Sequence, residues 1–573
     1  MLGSAAAKAW GYVERFQDVS ALHPLLCTVL ALAVLPFAVW CVAAIARKQG
    51  KAALWSAVGV LVVLLIFSWG DDIYTHVYRV VAMSDQIRAG KLSLLLTNSA
   101  TGVALPTFVY YSALPYVLPV ALNLVGLPAL VAFKIALIVQ IVVMALGVQR
   151  IVEKTSAGFA GFLAAVLYMS ANYAYEIWLS RAAFAELWVY SLIPWVVGCT
   201  IFPKPARGAT LATTTALTLV FFLQAVAHPI VLAHSLLCEV PVAIALARLG
   251  PIGLARRWFL PFTLALVLAI PFWLPQAVWQ SLILGPAALP ADFRESFLSL
   301  TELLDPKNNR NMGPWLPAAV LAMVVAARFR LAPRTWFLVA TWAVLMGLQT
   351  VYLRAITLHI PTLELSLFVW RLMLPTAFVA FAALVSRWEA VPPLYPRALA
   401  ALTAVSVVFL AGFTVLEAPD YIPHLAAAQD DRGALIAYDI DKEASIWGIR
   451  EYIPNYGELP QACFSTTPSD VRAARFAELD SPAGATADRP YLSINRAPID
   501  MVDYRVDGQP AKLSACGENL VFGPLKPGAK VTVTHRALDL LLVVRGVMLA
   551  ALAFFMGYAL IRMRRPSSPA HIL

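Results

Sequence analysis

Charged residues are scarce in this chain. Only 13% of its 573 residues are Asp, Glu, Lys or Arg, whereas 60% are hydrophobic. Soluble domains carry about 25% charged residues, so the composition excludes an ordinary soluble protein. It predicts an α-helical polytopic membrane protein.

Cysteine is scarce as well, with six residues in the whole chain. Four of them fall in hydrophobic stretches, and Cys463 and Cys516 both fall in one polar segment. In an oxidising compartment these two can form a disulfide, but the sequence does not supply the Cα separation that would decide it. The pairing therefore stays open.

The formal charge of +10 does not indicate a nucleic-acid partner. Lys and Arg occur in short clusters between hydrophobic stretches, which is a signal of membrane topology. The clusters expected on the cytoplasmic side begin with Arg47, Lys48 and Lys51 and end with Arg562, Arg564 and Arg565. This assignment places the C-terminus in the cytoplasm.

About 13 membrane spans are expected from the hydrophobic stretches. They lie at residues 25–46, 52–69, 128–149, 157–174, 184–202, 209–227, 230–247, 258–281, 314–327, 335–353, 370–386, 398–416 and 540–561. An odd number places the N-terminus outside. Residues 1–23 are polar and amphipathic, unlike a secretory signal peptide.

Two expected outer segments are too long to be simple connections. Residues 70–127 begin with an amphipathic stretch that predicts a helix lying in the membrane interface, with its apolar side in lipid. Residues 417–537 are long enough for an extracytoplasmic domain, and their alternating pattern predicts β-structure. The chain thus divides into a transmembrane module (1–416), this domain (417–537) and a last helix with a basic tail (538–573).

The most informative motif follows the uncharged stretch Ala52–Trp69, where Asp71 and Asp72 come at its expected outer end. On a helix, Asp72, His76 and Arg79 share one face. A carboxylate in apolar surroundings has a raised pKa and is a better base, and an arginine beside it suits a phosphate. These residues are candidates for catalysis and phosphate binding.

Four more ionisable residues occur at expected outer ends of spans, where such residues usually mark a site. They are Arg181, Glu186, His228 and Arg371.

Simpler interpretations remain for several of these residues. Asp71 and Asp72 can cap the following helix, and His76 can be a solvated interface residue. Arg181 and Glu186 can form a structural ion pair. Lys134 is expected to extend its ammonium group to the lipid headgroups. Glu239, deeper in its span, is either a buried hydrogen-bonded acid or part of a transport route.

In their order, several short motifs resemble one bacterial family. They are Asp72-xxx-His76-xx-Arg79, Tyr110-Tyr111-Ser-Ala-Leu-Pro115, Arg181 with Glu186, the helix end at His228, Val369-Trp370-Arg371 and Glu451-Tyr-Ile-Pro454. The family is the YfhO-like, 6-pyruvoyl-tetrahydropterin-synthase-related group of membrane proteins, which is similar to glycosyltransferases of the GT-C superfamily. The resemblance extends from about Trp69 onward, and the span at 25–46 departs from the usual start of that superfamily.

The resemblance implies a GT-C-like fold and an inverting glycosyltransferase of the bacterial cytoplasmic (inner) membrane, with its active site facing the periplasm. Its donor would be a polyprenyl-phosphate-linked sugar, and its acceptor an envelope glycan, lipid or polysaccharide. Asp72 best matches the acidic residue that serves there as general base or acceptor-orienting group, and Asp71 is its neighbour. Pterin chemistry is not expected, because the chain has no Cys/His constellation for it. No cofactor is implied with certainty, and a divalent cation remains open, although a single Asp pair disfavours a dedicated metal site.

Two other functional classes remain. A transporter or flippase of lipid-linked substrates would carry ionisable residues at the membrane midplane and an internal repeat. Glu239 is one such residue, but no repeat is evident. A noncatalytic envelope assembly factor would tolerate a neutral residue in place of Asp72.

Overall fold

The computed structural model describes most of the helical part of the chain and short segments of the remainder. The described residues are 23–68, 72–90, 92–94, 96–97, 104–105, 107–155, 157–201, 209–247, 250–278, 297–305, 310–327, 330–360, 369–386, 394–417, 483–484, 492–495, 503–510, 513–516, 519–522, 530–534 and 536–564.

The described part is mostly helical. Its first ten helices are α1 (His23–Ala46), α2 (Gly50–Phe67), α3 (Ile73–Arg88), α4 (Thr107–Tyr110), α5 (Val117–Leu124), α6 (Ala129–Thr155), α7 (Gly158–Met169), α8 (Asn172–Tyr175), α9 (Phe184–Ile201) and α10 (Ala209–Ala227). The next ten are α11 (Pro229–Ala247), α12 (Pro251–Leu254), α13 (Leu260–Val278), α14 (Leu300–Leu304), α15 (Trp315–Ala326), α16 (Pro333–Gly347), α17 (Arg354–Thr357), α18 (Met373–Val385), α19 (Leu394–Glu417) and α20 (Arg536–Arg564). Two 3₁₀ turns precede helices: Leu114–Tyr116 leads into α5, and Val369–Leu372 leads into α18. Two π turns also occur: Glu176–Arg181 follows α8 in the link to α9, and Ala255–Phe259 leads into α13.

Eight helical segments in the described part are long and apolar enough to cross a membrane. The expectation of a polytopic helical membrane protein is therefore confirmed. The count of 13 crossings stays a prediction, because helices such as α7 have only 12 residues. Such a helix is about 18 Å long, which is less than the roughly 30 Å of the hydrocarbon core.

The centre of the bundle is formed by α7, α9 and α18. Every residue of α18 is buried, as are nearly all residues of α7 and α9. Helix α7 packs against α2, α18 and α19, and α9 packs against α6, α10 and α11. Helix α9 thus packs against one long helix that precedes it in the chain and the two helices that follow it.

Helix α3 differs from the expected interfacial helix. Ile73, Val77 and Val80 are all buried in the main hydrophobic core, and so are the polar His76 and Arg79. The helix packs against α5 and α6. The apolar positions Ile73, Val77 and Val80 are therefore covered by protein, because α5 and α6 pack over them, whereas Ile87 near the end of the helix is exposed.

Two sheets are described between residues 483 and 534. One has the order β3-β9-β5-β6 (Ala483–Gly484, Lys530–Thr534, Asp503–Val506 and Gln509–Pro510), and the other has β4-β8-β7 (Leu492–Asn495, Asn519–Phe522 and Leu513–Cys516). A short hairpin, β1 (Leu96–Thr97) with β2 (Ala104–Leu105), precedes α4. Asp507 and Gly508 both have positive φ and make the two-residue turn between β5 and β6, as Asp-Gly pairs do in tight hairpins. A folded domain over 417–537 stays a prediction, and Cys463 lies outside the described residues.

Candidate functional site

The C-terminal end of α2 is held in place by Lys134. The Lys134 ammonium group donates to the backbone oxygen of Leu65 at 2.6 Å and also to that of Ser68. These carbonyls belong to the C-terminal end of α2, which favours a cation. Lys134 is 7% exposed, so it does not extend towards the headgroups as expected, because the nearby carbonyls satisfy its charge inside the bundle.

Asp72 lies at the start of α3 with a half-exposed side chain. Its backbone N–H donates to the carbonyl of Arg181 at 2.9 Å, and its side chain makes no capping hydrogen bond to α3. Instead, Asp72 Oδ2 lies 3.6 Å from Arg181 Nη2, and the side chain is 43% exposed. Capping therefore does not account for Asp72. Asp71 lies outside the described residues.

Arg181 is presented by an irregular turn between α8 and α9. Residues Glu176–Arg181 form a π turn, and the next residue, Ala182, is left-handed with φ of 56°. Such a conformation is uncommon for alanine and costs about 1 kcal/mol or more. It redirects the chain so that Arg181 Nη2 lies 3.5 Å from Glu186 as well as close to Asp72.

Glu186 is the buried centre of the charge network. Its Oε1 accepts from Arg371 Nε at 3.0 Å and lies 2.8 Å from Arg371 Nη2. The Tyr190 hydroxyl donates to the carbonyl of Arg371 at 2.8 Å, which fixes the turn that carries this arginine. Arg181 and Glu186 thus form the ion pair that the simpler interpretation allowed, within a four-residue chain Asp72–Arg181–Glu186–Arg371.

The electrostatics of Arg181 follow from these neighbours. Burial opposes its charge, but the Glu186 and Asp72 carboxylates outweigh burial and raise the pKa of the guanidinium. The arginine is a permanent cation between one buried and one half-exposed carboxylate. Such a group can bind an anion that approaches from the exposed side.

His76 and Arg79 meet at the hydroxyl of Tyr116. The Phe184 backbone N–H donates to His76 Nε2 at 3.4 Å, so His76 Nδ1 carries the proton and donates to Tyr116 at 2.6 Å. Arg79 Nη1 donates to the same hydroxyl at 3.1 Å, and its guanidinium lies 4.4 Å from the centre of the Tyr111 ring. Burial, reinforced by Arg79 and Arg181, lowers the pKa of His76 well below its ordinary value. His76 is therefore a buried neutral group, not a solvated interface residue.

His228 lies at the junction of α10 and α11, next to this cluster. Its Nδ1 accepts from the Val231 backbone N–H at 3.3 Å, and its ring meets Tyr111 edge-on at 6.4 Å. Burial lowers the pKa of His228 to about 4. His228 is thus neutral near pH 7, with its proton on Nε2.

Three buried polar atoms of the network have no hydrogen-bond partner within the described residues. They are Arg181 Nη1, Glu186 Oε2 and the Tyr173 hydroxyl. Buried polar groups are nearly always paired, so unpaired ones indicate where a water or a ligand group belongs. Two of these atoms belong to the Arg181–Glu186 ion pair, and Arg181 also lies beside Asp72.

The structure brings together Asp72, His76, Arg79, Arg181, Glu186, His228 and Arg371 at one end of the bundle. Sequence reasoning missed Tyr116 and Tyr173. The sequence gives no signal for Tyr116, since it lies 40 positions from His76 and no local periodicity relates them. Among the described residues, no group of three or more His, Cys, Asp or Glu side chains is arranged to hold a metal ion.

Comparisons of the chain with protein-family models, curated proteins and solved structures return no match.

Proposed function

We propose that the protein is a membrane glycosyltransferase that moves a sugar from a polyprenyl-phosphate donor to an envelope glycan, lipid or polysaccharide. The observation that best supports this proposal is the half-exposed Asp72 carboxylate beside Arg181. Arg181 Nη1 has no hydrogen-bond partner in the described part of the chain. A base and an anion-binding group then lie side by side. The motif resemblance supplies the reaction class.

In this mechanism Asp72 removes the proton of an acceptor hydroxyl. The hydroxyl oxygen attacks the anomeric carbon in line, and the bond from that carbon to the phosphate oxygen breaks. The polyprenyl phosphate leaves as an anion, and a cation placed where this charge develops lowers the barrier. We assign that role to Arg181, since both Arg371 nitrogens described above are engaged by Glu186 and Arg79 is held by Tyr116.

The proposal places the site on the outer side of the bacterial cytoplasmic membrane. The positions of the Lys and Arg clusters support that orientation. The domain over 417–537 would lie on the same side and help to position the acceptor. A divalent cation remains a candidate cofactor.

The test compares envelope glycolipids and polysaccharides by mass spectrometry in cells with the native gene, without it, and with Asp72→Asn. We expect the deletion and Asp72→Asn to lose the same sugar while the variant protein accumulates normally. The matched control is Asp85→Asn, because Asp85 lies on the same helix and pairs with Arg88 at the surface; it should keep the sugar.

The same experiment separates the alternatives. A deletion phenotype that Asp72→Asn fully complements would exclude Asp72 as the base and favour a noncatalytic assembly factor. If the protein is instead a transporter or flippase, cells without the gene should accumulate unchanged lipid-linked sugar on the cytoplasmic side of the membrane. The buried Glu239 within α11 is the observation that keeps this second candidate in consideration.

A further inference from the structure

Glu239 is a buried acid in a helix long and apolar enough to span the membrane. It lies in α11, about three turns from His228, and is 0% exposed. Its Oε1 accepts one hydrogen bond, from Gln224 Nε2 at 2.7 Å. Its other oxygen, Oε2, has no hydrogen-bond partner within the described residues. Glu239 is not part of the charge network around Glu186.

The Gln224 amide next to it is oriented by a second contact. Gln224 Nε2 also donates to the carbonyl of Val189 at 3.2 Å, so both of its hydrogens are used and the amide cannot be turned around. The Gln224 Oε1 atom is therefore an acceptor, and it too lacks a partner in the described part of the chain. Glu239 and Gln224 therefore share one hydrogen bond, and each side chain has one further acceptor oxygen without a donor in the described part of the chain.

The described elements that pack against α11 place no basic side chain in an ion pair with Glu239. Helices α10 and α18 contain no acidic, basic, His, Cys or Tyr residue. The ionisable groups on the other packed elements and on α11 itself are Glu186, Tyr190, Cys199, Arg334, Arg371, His234 and Cys238. None of them forms an ion pair with Glu239 in the described part of the chain. An isolated carboxylate in such a place is very costly, and the group takes up a proton instead.

We propose that Glu239 is a proton-binding site inside the bundle, occupied at neutral pH, where the neutral carboxylic acid pairs with Gln224. A proton on Glu239 Oε2 supplies the donor that the two unpaired oxygens lack. We assign Gln224 Oε1 as its acceptor, because the two side chains already share one hydrogen bond and both oxygens lack a partner in the described part of the chain. The acid and the amide then exchange two hydrogen bonds and fasten α10 to α11, while Val189 extends the contact to α9. This site does not depend on glycosyl transfer.

Infrared spectroscopy tests the protonation state directly. A neutral carboxylic acid has a carbonyl stretching band above the amide band that shifts in D₂O, whereas a carboxylate has none there. We expect the purified full-length protein at pH 7 to show such a band and Glu239→Gln to lose it. The control Glu302→Gln removes an exposed carboxylate that accepts hydrogen bonds from Ser299, and it should leave the band unchanged. The proposal would be overturned if the native protein showed no such band, or if Glu239→Gln left the band unchanged.

Thermal unfolding in detergent gives an independent result. In Glu239→Gln the new amide can donate to Gln224 Oε1 without any added proton, so the melting temperature at pH 7 should match that of the native protein. Glu239→Leu removes both hydrogen bonds and should melt at a lower temperature. If Na⁺ or K⁺ raises the melting temperature of the native protein but not of Glu239→Gln, the occupant is a monovalent cation and the proton site is refuted.

Discussion

Arg371 engages one oxygen of Glu186 twice, with Nε at 3.0 Å and Nη2 at 2.8 Å. The two residues are 185 positions apart, and both side chains are at most 10% exposed. The pair therefore joins the start of α9 to the turn before α18 inside the bundle. Arg181, by contrast, lies beside the half-exposed Asp72.

Neutralising Glu186 should destabilise the protein strongly. Glu186→Gln leaves the Arg181 and Arg371 charges without their shared carboxylate, and breaking a buried pair in this way costs about 3–5 kcal/mol. Denaturant unfolding in detergent measures the loss. The control Glu153→Gln removes a surface ion pair with Lys51 and should cost less than about 1 kcal/mol. Equal effects of the two substitutions would contradict a central role for Glu186.

The hydroxyl of Tyr116 should matter more than that of another buried tyrosine. Tyr116→Phe removes the acceptor shared by His76 and Arg79, which should lower the free energy of unfolding by about 1–3 kcal/mol. Tyr168→Phe is the matched control, since the Tyr168 hydroxyl is buried without a hydrogen-bond partner among the described residues. Its melting temperature should stay close to that of the native protein. A larger effect for Tyr168 than for Tyr116 would exclude the assigned network.

Lys134 should stabilise the C-terminal end of α2. Lys134→Met keeps most of the side-chain volume but leaves the Leu65 and Ser68 carbonyls without their donor, at a cost of about 1–3 kcal/mol. Lys154→Met, at the exposed end of the same helix, should change stability by less than about 0.5 kcal/mol. Thermal unfolding of the two variants side by side checks this difference. A Lys134→Met protein as stable as the native one would show that the end of α2 does not need the lysine.

His228 should make the protein less stable in acid. Its pKa is about 4 in the folded protein and about 6.5 in an unfolded chain. Below pH 6.5 the unfolded chain takes up a proton that the folded protein excludes, so stability falls as the pH drops from 7 towards 4.

The variant His228→Asn isolates this contribution, because asparagine can still cap the start of α11 but does not titrate. Between pH 7 and pH 5 we expect the native protein to lose about 1–2 kcal/mol more than the variant. Parallel pH titrations of the melting temperature provide the measurement, and superimposable curves would show that His228 does not contribute.

Much of the local organisation was predictable from the sequence. Hydrophobic length alone located helices such as α9, α10 and α11 to within one residue of their observed ends. The four ionisable residues at span ends, Arg181, Glu186, His228 and Arg371, were identified because polar groups are costly next to long apolar stretches. Both signals depend only on residues close together in the chain.

The tertiary structure decided which of these residues meet and which are buried. Amphipathicity suggested that α3 lies in the membrane interface, yet α5 and α6 pack over Ile73, Val77 and Val80. Lys134 was expected to reach the lipid headgroups, but its ammonium group donates to a backbone carbonyl at the end of α2 instead. Neither outcome is encoded in local periodicity, because each depends on an element from another part of the chain.

Hydropathy and the placement of charge in the chain are enough to define a polytopic helical membrane protein whose ionisable residues gather where apolar stretches end. The reason is that hydropathy is a property of each stretch and acts before any long-range contact forms. Only the tertiary structure decided that Glu186 pairs with Arg371, that Tyr116 joins His76 to Arg79, and that Asp72 remains half exposed beside Arg181. Such pairings are set by how distant helices pack, since a buried charge is stable only where the fold supplies its partner.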